Sequence, residues 1–282
     1  MFELARSLRK NRRLLLDLVR RDLSARYVAS SMGFFWSVIF PLLNLFIYMF
    51  VFSFVLKTRW DPGQSDEETA LLMLAGILVW QAFSESLSRS TNTLVENQNL
   101  IQKVVFPSEV LPVYLALSAL VNMLIGVAIA LCGVAWFAWI SPSTPAPGAP
   151  PPARELGFGL TLLALPVLLG VQLVFTTGLG FLFSALNLFV RDVYHVMGVA
   201  LTVCMFMTPI FYPARMVQEA GLGWVLRANP MYWLIDSYRR VLIYGLWPQP
   251  PIVAAFAAVA LLVFLAGVGF FLRQKPRFPD LL

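Results

Sequence analysis

From Arg6 to Leu56 the chain reads RSLRKNRRLLLDLVRRDLSARYVASSMGFFWSVIFPLLNLFIYMFVFSFVL, and its character changes at a single point. Eight Lys/Arg residues lie between Arg6 and Arg26, whereas the thirty residues 27–56 carry no charge at all. At a rise of about 1.5 Å per residue, a helix over that run is longer than the roughly 30 Å hydrocarbon core of a bilayer. The chain is therefore expected to enter a membrane, with a basic segment held at the near face. That segment has helical periodicity of its own. Leu4, Leu8, Leu15, Leu18 and Val19 form one stripe, and Arg6, Arg9, Lys10, Arg13, Asp17, Arg20 and Arg21 fall opposite it. This is the pattern of a helix lying in the interface. A cleaved secretory signal is a poorer reading, because the apolar run is too long and no small-residue cleavage site follows it.

Working outward, the whole chain has membrane composition: 59% of its 282 residues are hydrophobic and only 13% are charged. The net charge of +6 comes from basic residues gathered at membrane flanks, so it does not argue for nucleic-acid binding. Cys132 and Cys204 both sit in apolar runs, and with one histidine in the chain they make neither a disulfide framework nor a metal cage.

The expected fold is all-α integral membrane, with residues 1–31 a cytoplasmic amphipathic interface helix and residues 32–282 a six-helix transmembrane domain. Long apolar runs place the spans at about 32–56, 69–91, 108–140, 156–188, 193–212 and 252–272, with Glu85 and Arg89 marking where the second becomes wet. Pro41 should kink the first span, and Asp192 is placed to cap the fifth. Residues 92–107 are polar and read as a short helix in a loop that stops before Pro107. Six prolines within residues 141–153 forbid both helix and ladder, which leaves a loop. Residues 209–251 mix turn formers with apolar stretches too short to span, the mark of re-entrant or interfacial helices on the outer side before the last span.

An even number of spans puts both termini on one side. Fourteen Lys/Arg fall on that side and seven on the other, so the positive-inside rule makes the termini cytoplasmic. Arg239 and Arg240, in the outer region, read either as interface anchors or as contacts to an anionic headgroup or substrate.

Five runs carry a family resemblance: RDLSARYVASSMGFFWSVIFPLLN (residues 21–44), NLIQKVVFPSEVLP (99–112), FVRDVYHVM (189–197), TPIFYP (208–213) and NPMYWLIDSYRRVL (229–242). In order and spacing they resemble the membrane subunits, or permeases, of type-two ATP-binding-cassette exporters. Within that class they look most like permeases for lipid-linked polysaccharide such as O-antigen, capsule or teichoic acid. The resemblance implies a multi-pass plasma (inner) membrane protein working as a homodimer that docks two copies of a P-loop ATPase. It further implies a lipid-linked glycan as substrate. The chain contains no Gly-Lys-Ser/Thr, so ATP and Mg belong to the partner ATPase and no cofactor is expected on this chain.

The resemblance makes residues 92–107 the main coupling helix, with Glu96, Asn99, Gln102 and Lys103 as docking contacts and Arg191 and Asp192 as a second, smaller contact. Ser37, Phe40, Asn44 and Tyr48 fall together on the first span, and His195, Thr202 and Phe206 form a stripe on the fifth; each set is either helix packing or a pathway wall facing the dimer mate. Gln172, Thr176, Gly180, Ser184 and Asn187 recur along the fourth span, where packing is the better reading. Arg9, Arg13 and Arg20 face a headgroup, a lipid-linked pyrophosphate or the ATPase. No catalytic residue is expected, since His195, Asp192 and Ser184 match no nucleophile motif. A drug or small-lipid exporter of the same class is the alternative cargo. An intramembrane glycosyl- or acyltransferase is the alternative from another class, and its scattered carboxylates argue against it.

Overall fold

The computed structural model describes residues 2–28, 35–55, 60, 66–103, 106–140 and 159–282. The proline-rich stretch 141–153 lies outside the described residues. Helices account for the regular structure throughout, and no strand occurs among the described residues.

The basic segment forms α1 (Phe2–Lys10) and α2 (Arg12–Val28), separated only by a turn at Asn11. Its apolar stripe faces protein: Leu4 and Val19 are buried and Leu8, Leu15 and Leu18 are half-buried, while Arg6, Arg9, Lys10, Arg13 and Arg20 are exposed. Next comes α3 (Phe35–Tyr48), with Pro41 inside it, which runs on as a π-helical stretch over Met49–Val55.

At the centre stands α4 (Asp66–Glu96), thirty-one residues long. Asp66, Glu67 and Glu68 fill its first turn, where carboxylates meet the positive end of the helix dipole. Residues 69–80 are buried on every side, as expected of a helix apolar all round. Around it pack α6 (Val110–Ile140), α7 (Leu165–Phe189), α8 (Asp192–Met207) and α11 (Pro230–Leu242). Two short helices, α9 (Ala214–Glu219) and α10 (Gly223–Ala228), precede α11, and α12 (Pro250–Gln274) leads to the terminal turn α13 (Phe278–Leu281).

The backbones of α7 and α12 approach closely where they cross. A Cβ placed on Gly267 would lie 2.0 Å from the Gly178 carbonyl oxygen, and one on Gly178 would lie 2.6 Å from the Phe264 Cα. Small residues permit such backbone approach between membrane helices, where dispersion rather than water exclusion holds the pair together. Below the crossing, Phe181, Phe271 and Phe278 stack edge to face with centroids 5.0 Å apart and close a second core with Leu4, Leu94 and Leu111.

Among the described residues four helices are long and apolar enough to cross a membrane: Asp66–Glu96, Val110–Trp139, Leu160–Phe189 and Pro250–Leu281. Ile39–Val51 and Asp192–Met207 are shorter apolar helices. Three expectations need correcting. The polar residues 92–96 continue α4 instead of opening a separate helix, because Thr91 and Asn92 bond within the helix, to the Leu87 carbonyl and to Glu96. The break comes at Asn97, so the following helix, α5, spans only Gln98–Lys103. Asp192 is the first residue of α8 and not its cap; the Asn187 side chain accepts the Tyr194 N–H at 3.1 Å instead.

Candidate functional site

A cleft of about 730 Å³ opens between α2, α3, α4 and α6, with Leu201 of α8 at its edge. From α3 come Trp36, Phe40, Pro41 and Asn44. One face of α4 supplies Gln81, Ser84, Glu85 and Ser88, spaced three and four residues apart so that they share a side. Asn122 of α6 and Arg26 of α2 complete the polar lining. Aromatic rings, amides, hydroxyls and a charged rim thus meet in one concavity, a combination suited to a hydroxylated, ring-shaped ligand.

Four charges hold the rim. Asp22 and Arg26 lie one turn apart on α2, Glu85 and Arg89 one turn apart on α4. Arg26 donates to Glu85 and, at 3.3 Å, to Asp22; Arg89 donates to Asp22 and, at 3.2 Å, to Glu85. Signs alternate around the square, so each carboxylate meets two guanidiniums. Burial alone would raise the Asp22 carboxyl, but the Arg89 hydrogen bond and the attraction of the Arg89 and Arg26 charges together outweigh it and hold the group below its ordinary value. Helix α2 is thereby bolted to α4 at the mouth of the cleft.

A second feature lies at the end of the bundle where α4 terminates. A groove of about 740 Å³ runs between α1, α5 and the C-terminal turn, lined by Arg6, Lys10, Gln102, Lys103 and Lys275. At its floor Glu109, 3% exposed, accepts from Ser7 and, at 2.6 Å, from the Lys275 ammonium. One carboxylate therefore ties the first helix, the start of α6 and the tail together. The side chains of Gln98, Asn99, Leu100, Gln102 and Lys103 on α5 are all exposed. The α7–α8 corner reaches the same end, because Asn187 donates to Asn92 at 3.4 Å.

The residues singled out in the sequence divide as follows. Phe40 (57% exposed) and Asn44 line the cleft, and the Ser37 side chain lies outside the described residues. Tyr48 packs edge-on against Phe211, centroids 5.7 Å apart, beyond the cleft. His195, Thr202 and Phe206 share the exposed surface of α8; within one chain they are not brought to the cleft. Gln172, Thr176, Gly180, Ser184 and Asn187 are all buried in the bundle or its α4 flank. Glu96, Asn99, Gln102, Lys103, Arg191 and Asp192 are exposed at the α5 end, and Arg9, Arg13 and Arg20 are exposed along α1 and α2.

Arg239 is a correction. It is 5% exposed, and its guanidinium donates to the carbonyls of Leu72 (3.0 Å), Pro209 (2.9 Å) and Ile210 (3.0 Å) while lying 4.7 Å from the Trp60 ring centroid. An arginine so enclosed reaches neither headgroup nor substrate; from the last turn of α11 it ties the segment just past α8 to α4. Arg240 is half-buried and donates to the Trp247 carbonyl at 3.3 Å. Sequence reading missed Arg26, Gln81, Ser84, Glu85, Ser88 and Asn122. Its available signal was the pair of i,i+4 acid–base couples, Asp22/Arg26 and Glu85/Arg89.

Residues 13–243 match the family model described as ABC-2 type transporter, which covers α2 through α11. The chain belongs to the ABC-2 type transporter family. This ABC-2 protein is similar over 282 residues, at 29% identity and 99% of each chain, to the O-antigen export system permease protein RfbA of Myxococcus xanthus. Two proteins of the same name from Klebsiella pneumoniae are 29% and 27% identical, each over 95% of both chains. Family membership and several membrane-length apolar helices together make it a multi-pass membrane protein and a transporter subunit.

Proposed function

We propose that the chain is the transmembrane subunit of an ABC transporter exporting a lipid-linked polysaccharide, of O-antigen, capsule or teichoic-acid type, across the plasma membrane. The observation that carries this reading is the end-to-end similarity to permeases named for O-antigen export. The cleft adds to it, since Trp36 and Phe40 can stack on sugar rings while Asn44, Gln81, Ser84, Ser88 and Asn122 bond hydroxyls. Arg26, at the rim beside α2, stands where a phosphate at the membrane surface would be met.

In this reading α3 and α8 join the four longer helices to make six spans, with both termini cytoplasmic and α9 to α11 re-entrant at the outer side. Two copies pair across α3 and the exposed face of α8, so that His195, Thr202 and Phe206 of each copy face the pathway. A separate P-loop ATPase binds ATP and Mg and docks on α5, with Arg191 and Asp192 as a lesser contact. Arg9, Arg13 and Arg20 meet anionic headgroups along the cytoplasmic surface.

Deleting the gene should leave lipid-linked glycan accumulating on the cytoplasmic side, read by extracting lipid-linked glycan from inverted and intact membranes. Unchanged glycan at the cell surface would overturn the cargo. Replacing α5 by a Gly/Ser linker should stop the ATPase from co-purifying with the permease, and normal co-purification would overturn the docking assignment.

A further inference from the structure

The opposite end of the bundle holds a cavity that the export reading leaves without a role. Lys275, just past the end of α12, pairs with Glu109 beside α5, so the first turn of α12 lies at the far end. There an open pocket of about 930 Å³ is bordered by α9, α10, α11 and that first turn. It shares no residue with the cleft.

Local chemistry shapes it for a purpose. The connection from α9 to α10 passes through Gly221 at φ 74°, with the Gly221 N–H on the Gln218 carbonyl and the Leu222 N–H on the Val217 carbonyl. That is a helix stop built on a left-handed glycine, and it folds α10 back so that Gln218 and Trp224 line one space. Trp233 spends its indole N–H on the Leu226 carbonyl at 3.1 Å, which fixes its ring in the wall with Tyr232 beside it. Trp224 is 63% exposed and stands free. Arg227 lines the same space and forms no ion pair among the described residues. Of α12 only Pro251, Ile252 and Ala255 take part, so the apolar lining ends within the helix's first turns and offers no course for an acyl chain.

We propose that this cavity binds a saccharide unit, with Trp224 and Trp233 stacking on its C–H faces, Gln218 bonding hydroxyls and Arg227 preferring an acidic substituent. Rigid aromatic faces next to an amide and an unpaired guanidinium match a sugar better than a hydrocarbon. The choice of a saccharide rests partly on the export reading, which supplies glycan at the outer face; the site then holds a stretch of glycan beside its exit, apart from the cleft.

Direct binding keeps the two claims separate, because the gene-deletion assay tests export and does not touch this cavity. The protein in phosphatidylcholine nanodiscs is titrated with maltotriose and with digalacturonic acid, followed by saturation-transfer NMR. Transfer to both probes is expected, stronger to the acidic one. Trp224→Ala should weaken both by about tenfold. Arg227→Gln should weaken only digalacturonic acid. Both side chains are exposed, so neither variant removes core packing; should Trp224→Ala not purify, Arg227→Gln against the acidic probe decides alone. Absence of transfer from both probes, or affinities unchanged in the variants, overturns the proposal. So does saturation transfer to glycerol phosphate with none to either saccharide, which would make the pocket a lipid-headgroup site.

Discussion

Arg239 and Glu109 are single side chains that each join three segments, and each invites a test at its own scale. Arg239 gives three carbonyls on two elements their donors, and a lysine ammonium cannot reach in those three directions at once. Gly76 makes room for it, since a Cβ there would lie 2.7 Å from an Arg239 terminal nitrogen. Leaving buried carbonyls without donors costs about 1–3 kcal/mol apiece, so Arg239→Lys and Arg239→Met should each destabilise the protein by about 2 kcal/mol or more. Thermal unfolding in detergent would show this, and unchanged midpoints in both variants would refute it. For Glu109, burial alone would raise the carboxyl, but the Lys275 and Ser7 bonds prevail and hold it below its ordinary value. A carboxyl depressed in the folded state adds stability that is fully present above its unfolded value of about 4.3 and is lost as pH falls through the lower, folded value. The unfolding midpoint of the wild type should therefore drop on acidification below about pH 4.5 more steeply than that of Glu109→Gln, which lacks the titrating group. Parallel curves for the two would show that the tie contributes nothing.

At the scale of elements, the α7–α12 crossing depends on two glycines whose neighbours are backbone atoms, which cannot swing aside. Gly267→Ala drives a methyl to 2.0 Å from the Gly178 carbonyl oxygen, so the helices must part along their contact. We expect about 1–3 kcal/mol of destabilisation from this overpacking. Gly170→Ala, on α7, meets nothing within 4 Å and should be neutral or slightly stabilising through helix propensity. Equal melting of the two variants would mean the close approach is dispensable. The elements were largely legible in the sequence because apolar runs and the stripe of Leu4, Leu8, Leu15, Leu18 and Val19 are local signals. What sequence hid was pairing at long range. Asp22 and Arg89 are 67 residues apart, and Glu109 and Lys275 are 166 apart. No periodicity links such positions, and an arginine at a helix end looks the same whether it will stay half-buried, as Arg240 does, or be enclosed, as Arg239 is. The cleft was half visible for the same reason: Phe40 and Asn44 lie on one apolar helix, but Glu85 and Gln81 gain meaning only once α2 and α3 are laid across α4.

On the scale of the whole molecule, α4 is the one described helix that passes the Arg239 anchor, lines the cleft and ends one residue short of α5. As a continuous helix it is about 46 Å long, and its only interruption before α5 is Asn97, whose amide caps back onto the Thr93 carbonyl at 2.8 Å. On the proposed function, a push delivered at α5 by a docked ATPase would arrive at Glu85, Ser84 and Gln81 through one stiff element, and the α2–α4 charge square would carry α2 along with it. Inserting two glycines after Asn97 should leave α5, the groove and the ATPase contact in place while breaking that stiffness. The expected result is a complex that still assembles and hydrolyses ATP at close to the normal rate yet exports about tenfold less glycan or lower, because a flexible joint turns a displacement of α5 into local motion instead of movement at the cleft. Co-purification and phosphate release report assembly and hydrolysis, and surface glycan reports export. Were export to persist at the normal level with the insertion in place, force would have to reach the cleft by another route, and the charge square between α2 and α4 would become the element to cut next.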